Sequence, residues 1–494
     1  MHATELVIEQ ATVLDGTGAP GFVADVTVGD DRITSITAVD ADPEAVAADR
    51  RAERVDGRGL VLAPGFIDVH THDDTAVLVD PDHACKTMQG VTSVVVGNCG
   101  SSVAPMSEGG FGGSGFDHMR DYFTALDERP SAVNVGALIG HGTIRTAVMG
   151  LRTDRRPDAD EHVALLDLVA DALADGVLGL SSGLAYEPGR YAEPAELIDL
   201  NRLVAEAGGI YTTHMRDEGD ELLASIDESI EVAEATGVAL QISHLKASGR
   251  ANWGNVGEAL ARIDAARARG VDVMADQYPY TRGSTLLEQV VRAGALDGPS
   301  PFGHITPADV LICAAPGHTE WEGRTVAAIG EAAGIDGRVM ADRIVEAEGR
   351  RCIIVIDTMS EDDVRLVMGH EAVIVGSDGV PGGSKPHPRL HHTYPRILGH
   401  YVRDEGLLHL PDAVRRMTST PAERFGFTDR GEVRVGAFAD LVLFDASRVV
   451  DTGTWADPTA VPDGIVGVWV NGRRVVADGA VTGERPGVVV RRAG

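Results

Sequence analysis

The chain has 494 residues but only four cysteines and three lysines, and it is short of positive charge throughout. Cys85, Cys99, Cys313 and Cys352 are too sparse and too irregularly spaced for a disulfide framework, so each thiol has to be explained by its own surroundings. Near Met1 there is no basic segment followed by a long apolar run, and no later run approaches membrane-spanning length. A soluble, cytoplasmic protein is expected. Lys and Arg together number 43 against 75 Asp and Glu, a formal charge of −32. Nucleic acid and anionic membranes would be repelled over the whole surface, so neither is expected as a partner. An anionic ligand would need a local cationic pocket.

What remains is enough for a large core: 44% of the residues are hydrophobic, and the length exceeds that of one ordinary domain. Short alternating strands at residues 6–13, 24–29 and 32–38 give way to a long β-then-helix rhythm, and the strand pattern resumes after Gly431. Apolar runs end at His70, Asn98, Gly140, Gly183, His214, His244, Tyr278 and Asp378, with helical periodicity between them at 194–207, 221–235 and 257–269. Eight such units predict a distorted (β/α)8 barrel with a small β-domain formed by both termini, and chemistry at the strand carboxyl ends. The expected division is 1–62 and 426–494 for the β-domain and 63–425 for the barrel. Residues from about 281 to 350 break the rhythm, hold a helix-like stretch at 324–348, and read as a lid inserted over the active face. The glycine-rich tract 109–115 reads as a flexible loop.

The strand ends carry the chemistry. In Asp68-Val69-His70-Thr71-His72 the period-two alternation of an extended chain puts both imidazoles on one side, where they can face one metal. Cys99 lies between Asn98 and Gly100 at the end of a strand, unlike Cys313 and Cys352, whose apolar neighbours mark them as inert core thiols. A thiolate there is a strong zinc ligand. His214 and His244 each stand where an apolar strand meets its loop, and Asp378 ends an otherwise uncharged strand. His141 also ends a strand and is read as structural; His387, His391 and His392 receive no role.

Taken in order, His70-Thr71-His72, Gly97-Asn98-Cys99-Gly100, His214-Met215-Arg216-Asp217-Glu218, Ile242-Ser243-His244-Leu245-Lys246, Asp276-Gln277-Tyr278-Pro279-Tyr280 and Gly376-Ser377-Asp378-Gly379 resemble the N-acyl-D-amino-acid deacylase (D-aminoacylase) branch of the amidohydrolase superfamily. The strand-two cysteine is its most specific element. Dihydroorotases and hydantoinases instead use a carboxylated lysine from strand four, and here that strand reads Gly179-Leu180-Ser181-Ser182-Gly183. The resemblance implies zinc, held tightly by Cys99, His214 and His244, with His70 and His72 contributing to a second, weaker position. It implies Asp378 as general acid/base, and the substrate as a small N-acyl-D-amino acid whose carboxylate meets Lys246, Tyr278 and Arg389, with Tyr280 the alternative to Tyr278. Ser284 and Met359 fall where the acyl and side-chain pockets are lined. The preference for the D enantiomer comes from the resemblance alone. No extra arginine or lysine stands out within these motifs to pair a second substrate carboxylate, so neutral or hydrophobic side chains are favoured; Arg282, opening the lid, is the reservation.

Two other readings stay open: a cyclic-amide hydrolase with the same metal chemistry, and a metal-bearing scaffold without turnover. The first lacks the bridging lysine, and the second has no need of Asp378. The sequence carries no signal for oligomeric state. The acidic, lysine-poor composition has two sources to choose between, adaptation to a high-salt cytoplasm or GC-rich coding DNA. Salt adaptation predicts a thermal midpoint that climbs as KCl is raised to about 1 M, where screening relieves self-repulsion; full stability in dilute buffer removes it.

Overall fold

A computed structural model of the chain describes residues 4–38, 52–106, 115–150 and 154–492, which leaves all but Gly115 of the glycine-rich tract outside. Eight parallel strands, Phe66–Asp68, Val91–Val96, Asn134–Gly140, Gly179–Gly183, Ile210–His214, Ala239–Ile242, Val273–Gln277 and Val373–Val375, pair in chain order as the eight-unit rhythm predicts. Their sequences are runs of buried, often β-branched residues such as Val91-Thr92-Ser93-Val94-Val95-Val96, as suits strands covered on both faces. The barrel is nearly closed. Its last and first strands do not pair along their lengths and meet only beyond their carboxyl ends, through Asp378 N to His70 O (2.7 Å) and His72 N to Gly379 O (3.0 Å).

The covering helices follow from local signals. Ala159–Asp175 starts at Asp158, whose carboxylate accepts from Glu161 N (2.9 Å) while Glu161 accepts from Asp158 N (2.8 Å), and it stops at left-handed Gly176. Pro194–Glu206, Leu222–Thr236 and Val256–Ala268 lie within a residue or two of the ranges expected from periodicity. The stretch 324–348 is two helices, Val326–Ala333 and Gly337–Glu348, because Gly334 takes φ +68° and ends the first.

Both ends of the chain build one nine-stranded sheet, in which Thr4–Val13 and Val61–Pro64 lie beside Leu441–Phe444 and Ile465–Val470. The inserted segment has a three-stranded antiparallel sheet of its own, Arg282–Leu286, Ile353–Asp357 and Val310–Ala314, with Ile353–Asp357 in the middle. That sheet carries the insertion beyond residue 350, and it has a separate apolar core around Leu287, Ile312, Ile329, Ile344 and Ile354.

A buried polar joint fastens the terminal sheet to the barrel. Asp440, just before strand Leu441–Phe444, pairs with Arg430 and accepts from Asn134 Nδ2 (3.1 Å) and Asn471 N (2.8 Å). Removing one partner of such a pair strands a buried charge. Asp440→Ala is therefore expected to cost about 3–5 kcal/mol of stability, read as a lowered urea midpoint; an unchanged midpoint would show that the joint contributes nothing.

Candidate active site

The loops after the barrel strands bring the sequence-predicted residues to one place. At the end of strand two, Gly97 takes φ +83°, and a Cβ there would sit 2.2 Å from Leu138 O, so only glycine lets the chain turn. Two residues on, Cys99 points its sulfur at the imidazoles: Sγ lies 3.3 Å from His70 Nε2 and 3.6 Å from His244 Nε2. His214 Nδ1 is 2.8 Å from His244 Nε2. On the other side, Asp378 Oδ1 is 3.2 Å from His72 Nε2 and 3.5 Å from His70 Nε2. Three overlapping donor sets result, His70/Cys99/His244, His70/His72/Asp378 and His214/Glu218/His244, each with its ligand atoms within 4.8 Å of one another.

Ring nitrogens and a thiol crowd together here because carboxylates hold them from behind. Asp276 Oδ1 accepts from His70 Nδ1 (3.0 Å) and from His244 N (2.8 Å), and Glu218 Oε1 meets His244 Nδ1 at 2.8 Å. This leaves His70 Nε2 and His244 Nε2 facing the sulfur. Burial opposes a thiolate at Cys99, yet His70, His214 and His244 hold the thiol well below its ordinary range. Asp378 is likewise held well below the carboxylate range against its burial, first by Arg389 and then by His70. Burial, opposed by Glu218, lowers the pKa of His214, while hydrogen bonds to Asp378 and Cys99 outweigh burial and raise His72 to about 9. A thiol held towards its thiolate beside the ring nitrogens of His70, His214 and His244, with His70 anchored from behind by Asp276 and His244 by Glu218, is an N/S donor set that fits zinc.

Cys99, His244 and Asp378 share a further feature. All three take positive φ, at +53°, +37° and +48°, a conformation that costs a non-glycine residue on the order of 1–3 kcal/mol. Among the described non-glycine residues only six others do so, none of them in the donor sets.

Beside the donors lies a cavity of about 140 Å³. Lys246, Tyr278 and Ser284 are in its wall, with Met106, Leu286, Phe302, Ile356 and Val380 as apolar lining. Lys246 Nζ is 2.6 Å from Glu218 Oε1 and 2.8 Å from His244 Nδ1. Arg389 is fully buried behind this wall, with Nη2 2.9 Å from Asp378 Oδ2 and its guanidinium carbon 4.2 Å from the Tyr278 ring centroid. Arg389 Nε and Nη1 and the Tyr278 hydroxyl have no hydrogen-bond partner among the described residues. Tyr280 turns away towards His387 and Arg396, so of these two tyrosines Tyr278 is the one that faces the cavity.

Met359 does not line the cavity: it packs against Tyr278 and Tyr280, while Ile356 and Thr358 are in the wall. Arg282 is spent on Asp357 (3.2 Å) and on the face of Trp455 (4.5 Å) and does not line the cavity. His141 is buried, 2.8 Å from Glu196, in the structural role expected of it.

Several residues gave no usable signal in the sequence. Asp276 and Glu218 lie inside motifs but reveal nothing of what they orient. Tyr186 has its ring 4.5 Å from that of His214, and Arg350 lines the cavity from the insertion. His387 fixes Arg389 by accepting from its backbone N (3.0 Å) while donating to Arg282 O (2.9 Å).

A family model described as Amidohydrolase family matches residues 53–476. The chain is 43% identical over 497 residues to the N-acyl-D-glutamate deacylase of Alcaligenes xylosoxydans xylosoxydans, covering 99% of this chain and 96% of that one. It is 40% identical to the D-aminoacylase of the same organism, with 99% and 98% covered. Among solved structures, the N-acyl-D-glutamate deacylase of Bordetella bronchiseptica, crystallised with zinc and a phosphonate mimic of the tetrahedral intermediate, superposes with a TM-score of 0.89 at 39% identity, covering 99% of this chain and 100% of that one. With the family model matched over most of its length and relatives matched over nearly all of it, the chain belongs to the amidohydrolase family of metal-dependent hydrolases.

Proposed function

We propose that the protein hydrolyses N-acyl-D-amino acids to a carboxylate and a free D-amino acid. Cys99, His214 and His244 would hold one zinc tightly, and His70 and His72 would contribute to a second, weaker position. When bound, zinc polarises the scissile carbonyl and acidifies water. Asp378, kept ionised by Arg389, takes the proton of the attacking water and returns one to the leaving nitrogen, which departs poorly as an amide anion. Lys246, Tyr278 and Arg389 receive the α-carboxylate, and Ser284 lines the acyl side.

The observation that carries this reading is the buried set of unpartnered donors, Tyr278 Oη and Arg389 Nε and Nη1, grouped next to Lys246 at the edge of the donor cluster. Buried donors without partners are rare, and these match the needs of a carboxylate. The D preference is supported by the relatives alone. We also propose that residues 63–425 carry the chemistry, that the insertion at about 281–350 supplies one wall, and that 1–62 and 426–494 form the β-domain. A cytoplasmic setting is supported by four free cysteines, one of them a ligand that oxidation would destroy.

For the side chain, the apolar wall of Met106, Leu286, Phe302, Ile356 and Val380 supports neutral or hydrophobic substrates. Arg350 favours a second reading, an acidic side chain, since it places a guanidinium in the same wall.

Hydrolysis of N-acetyl-D-methionine, N-acetyl-D-glutamate and N-acetyl-L-methionine, each with zinc and with chelator, tests these points together. Turnover of D- but not L-methionine is expected, abolished by chelator and restored by zinc. Equal rates on both enantiomers would reject the stereochemical assignment, and faster glutamate turnover that is lost in Arg350→Ala would select the acidic reading. Asp378→Asn should retain its zinc, measured by atomic absorption, while kcat falls by about 10²–10⁴-fold. Wild-type kcat in that variant would remove Asp378 from the chemistry.

A further inference from the structure

The seam between the last and first barrel strands has no strand pairing, yet the loops on its two sides carry Asp378 on one and His70 and His72 on the other. One buried cation spans it. Lys86, fully buried on the short helix Ala84–Thr87, places Nζ 2.7 Å from Asp68 Oδ2, 2.7 Å from Ser377 Oγ and 3.4 Å from Asp73 Oδ2. The other oxygen of Asp68 accepts from Ser377 N (2.9 Å) and His70 N (3.4 Å). Ser377 Oγ accepts from Lys86 and from Gly379 N (3.1 Å) and donates its one proton to His70 O (3.4 Å). The three groups that Lys86 grips therefore sit beside the site residues in sequence: Asp68 two before His70, Asp73 next after His72, and Ser377 next before Asp378.

We propose that Lys86 is a positioning residue, which fixes Asp378 relative to His70 and His72 across the open seam. This rests on the reading of Asp378 as the proton carrier. Stability alone is a poor reason to bury an ammonium here, because a buried ion pair is seldom better than an apolar pair of the same volume. Its distinctive effect is to set two loops at a fixed distance, and an error of about 1 Å between reacting groups costs about 10²-fold in rate. The other buried lysine, Lys246, touches the cavity; Lys86 does not, so it acts through its neighbours.

The test uses the full chain and two variants. Lys86→Met combined with Asp68→Asn removes the charge pair together, avoiding a lone buried carboxylate at 68 and keeping an acceptor for Ser377 N. Ser377→Ala leaves the ion pair intact and removes the Lys86 contact to the Asp378 loop together with the Ser377 Oγ bonds to Gly379 N and His70 O; should the double variant not fold, wild-type kcat and second-zinc affinity in Ser377→Ala would overturn the proposal. Thermal midpoint, kcat and KM on the best wild-type substrate, and zinc titration of the apoprotein are measured for each. The expected result is a midpoint close to wild type with kcat reduced by about 100-fold in the double variant and about 10-fold in Ser377→Ala, KM within threefold, and weakened binding of the second zinc. Wild-type kcat and wild-type second-zinc affinity in a folded double variant would overturn the proposal and make Lys86 a structural ion-pair partner only. The zinc titration needs no turnover, so it tests Lys86 even if the wild-type enzyme hydrolyses none of the substrates, an outcome that would count against the proposed function instead.

Discussion

Asp276 Oδ1 accepts the His70 ring and the His244 backbone at once, and that shared oxygen decides where the donor atoms of the site can be. Left to themselves, imidazole lone pairs and a thiol would not gather in a buried space, since each prefers water or a hydrogen-bond donor. Here a ring of carboxylates behind them, Asp276, Glu218 and Asp68, takes up the far nitrogens and backbone hydrogens, so the remaining lone pairs face inward. The site is preorganised for a cation because its other hydrogen-bonding options have been used. The arrangement is costly in the free protein, as the three left-handed residues Cys99, His244 and Asp378 show. Strain of that kind persists only where surrounding structure over-determines it, and at Cys99 and Asp378 the surrounding structure is the glycine turn at 97 and the seam held by Lys86.

The eight-strand rhythm, and the placing of His70, His72, Cys99, His214 and His244 at strand ends, were readable because both depend on short-range pattern. An apolar run of strand length that stops at a histidine, cysteine or aspartate is visible in ten residues, and so is the pairing of His70 with His72. The orienting groups were not readable for the opposite reason: His70 and Asp276 are 206 positions apart, and Lys86 and Ser377 are 291 apart. A carboxylate inside a motif looks the same whether it binds metal, caps a turn or turns a ring, so Glu218 could be quoted but not interpreted. Met359 and Ile356 show a subtler limit. Which of them faces the cavity depends on how a non-barrel segment runs past it, and residue spacing from a ligand does not fix that.

Lysine scarcity proved informative in a way that arginine content was not. Of the three lysines, Lys86 and Lys246 are buried in ion pairs around the site, and only Lys385 is at the surface, donating to Ala456 O. An ammonium is a compact point charge on a flexible stem and can be shared among oxygens from several directions, as Lys86 is among Asp68, Asp73 and Ser377. Arg389, by contrast, lies with its guanidinium over the Tyr278 ring and meets one carboxylate, that of Asp378, through Nη2 alone. The two residue types are used here for different geometric tasks.

That division bears on how an anionic substrate reaches a protein of charge −32. At physiological ionic strength the Debye length is about 8 Å, so most of the acidic surface is screened from a ligand already inside the cavity mouth. What the ligand meets there is local: Lys246 in the wall, Arg389 behind Tyr278, and Arg350 on the insertion. Because Lys246 is already neutralised by Glu218 and Arg389 by Asp378, neither offers a full net charge at long range. Their attraction is short-ranged and directional; Arg389 Nε and Nη1 still lack an acceptor among the described residues, whereas Lys246 Nζ already meets Glu218 and His244. On the proposed function the site would select by fit at contact and gain little from steering, so repulsion by the surface would slow encounter while leaving recognition beside the donor cluster intact.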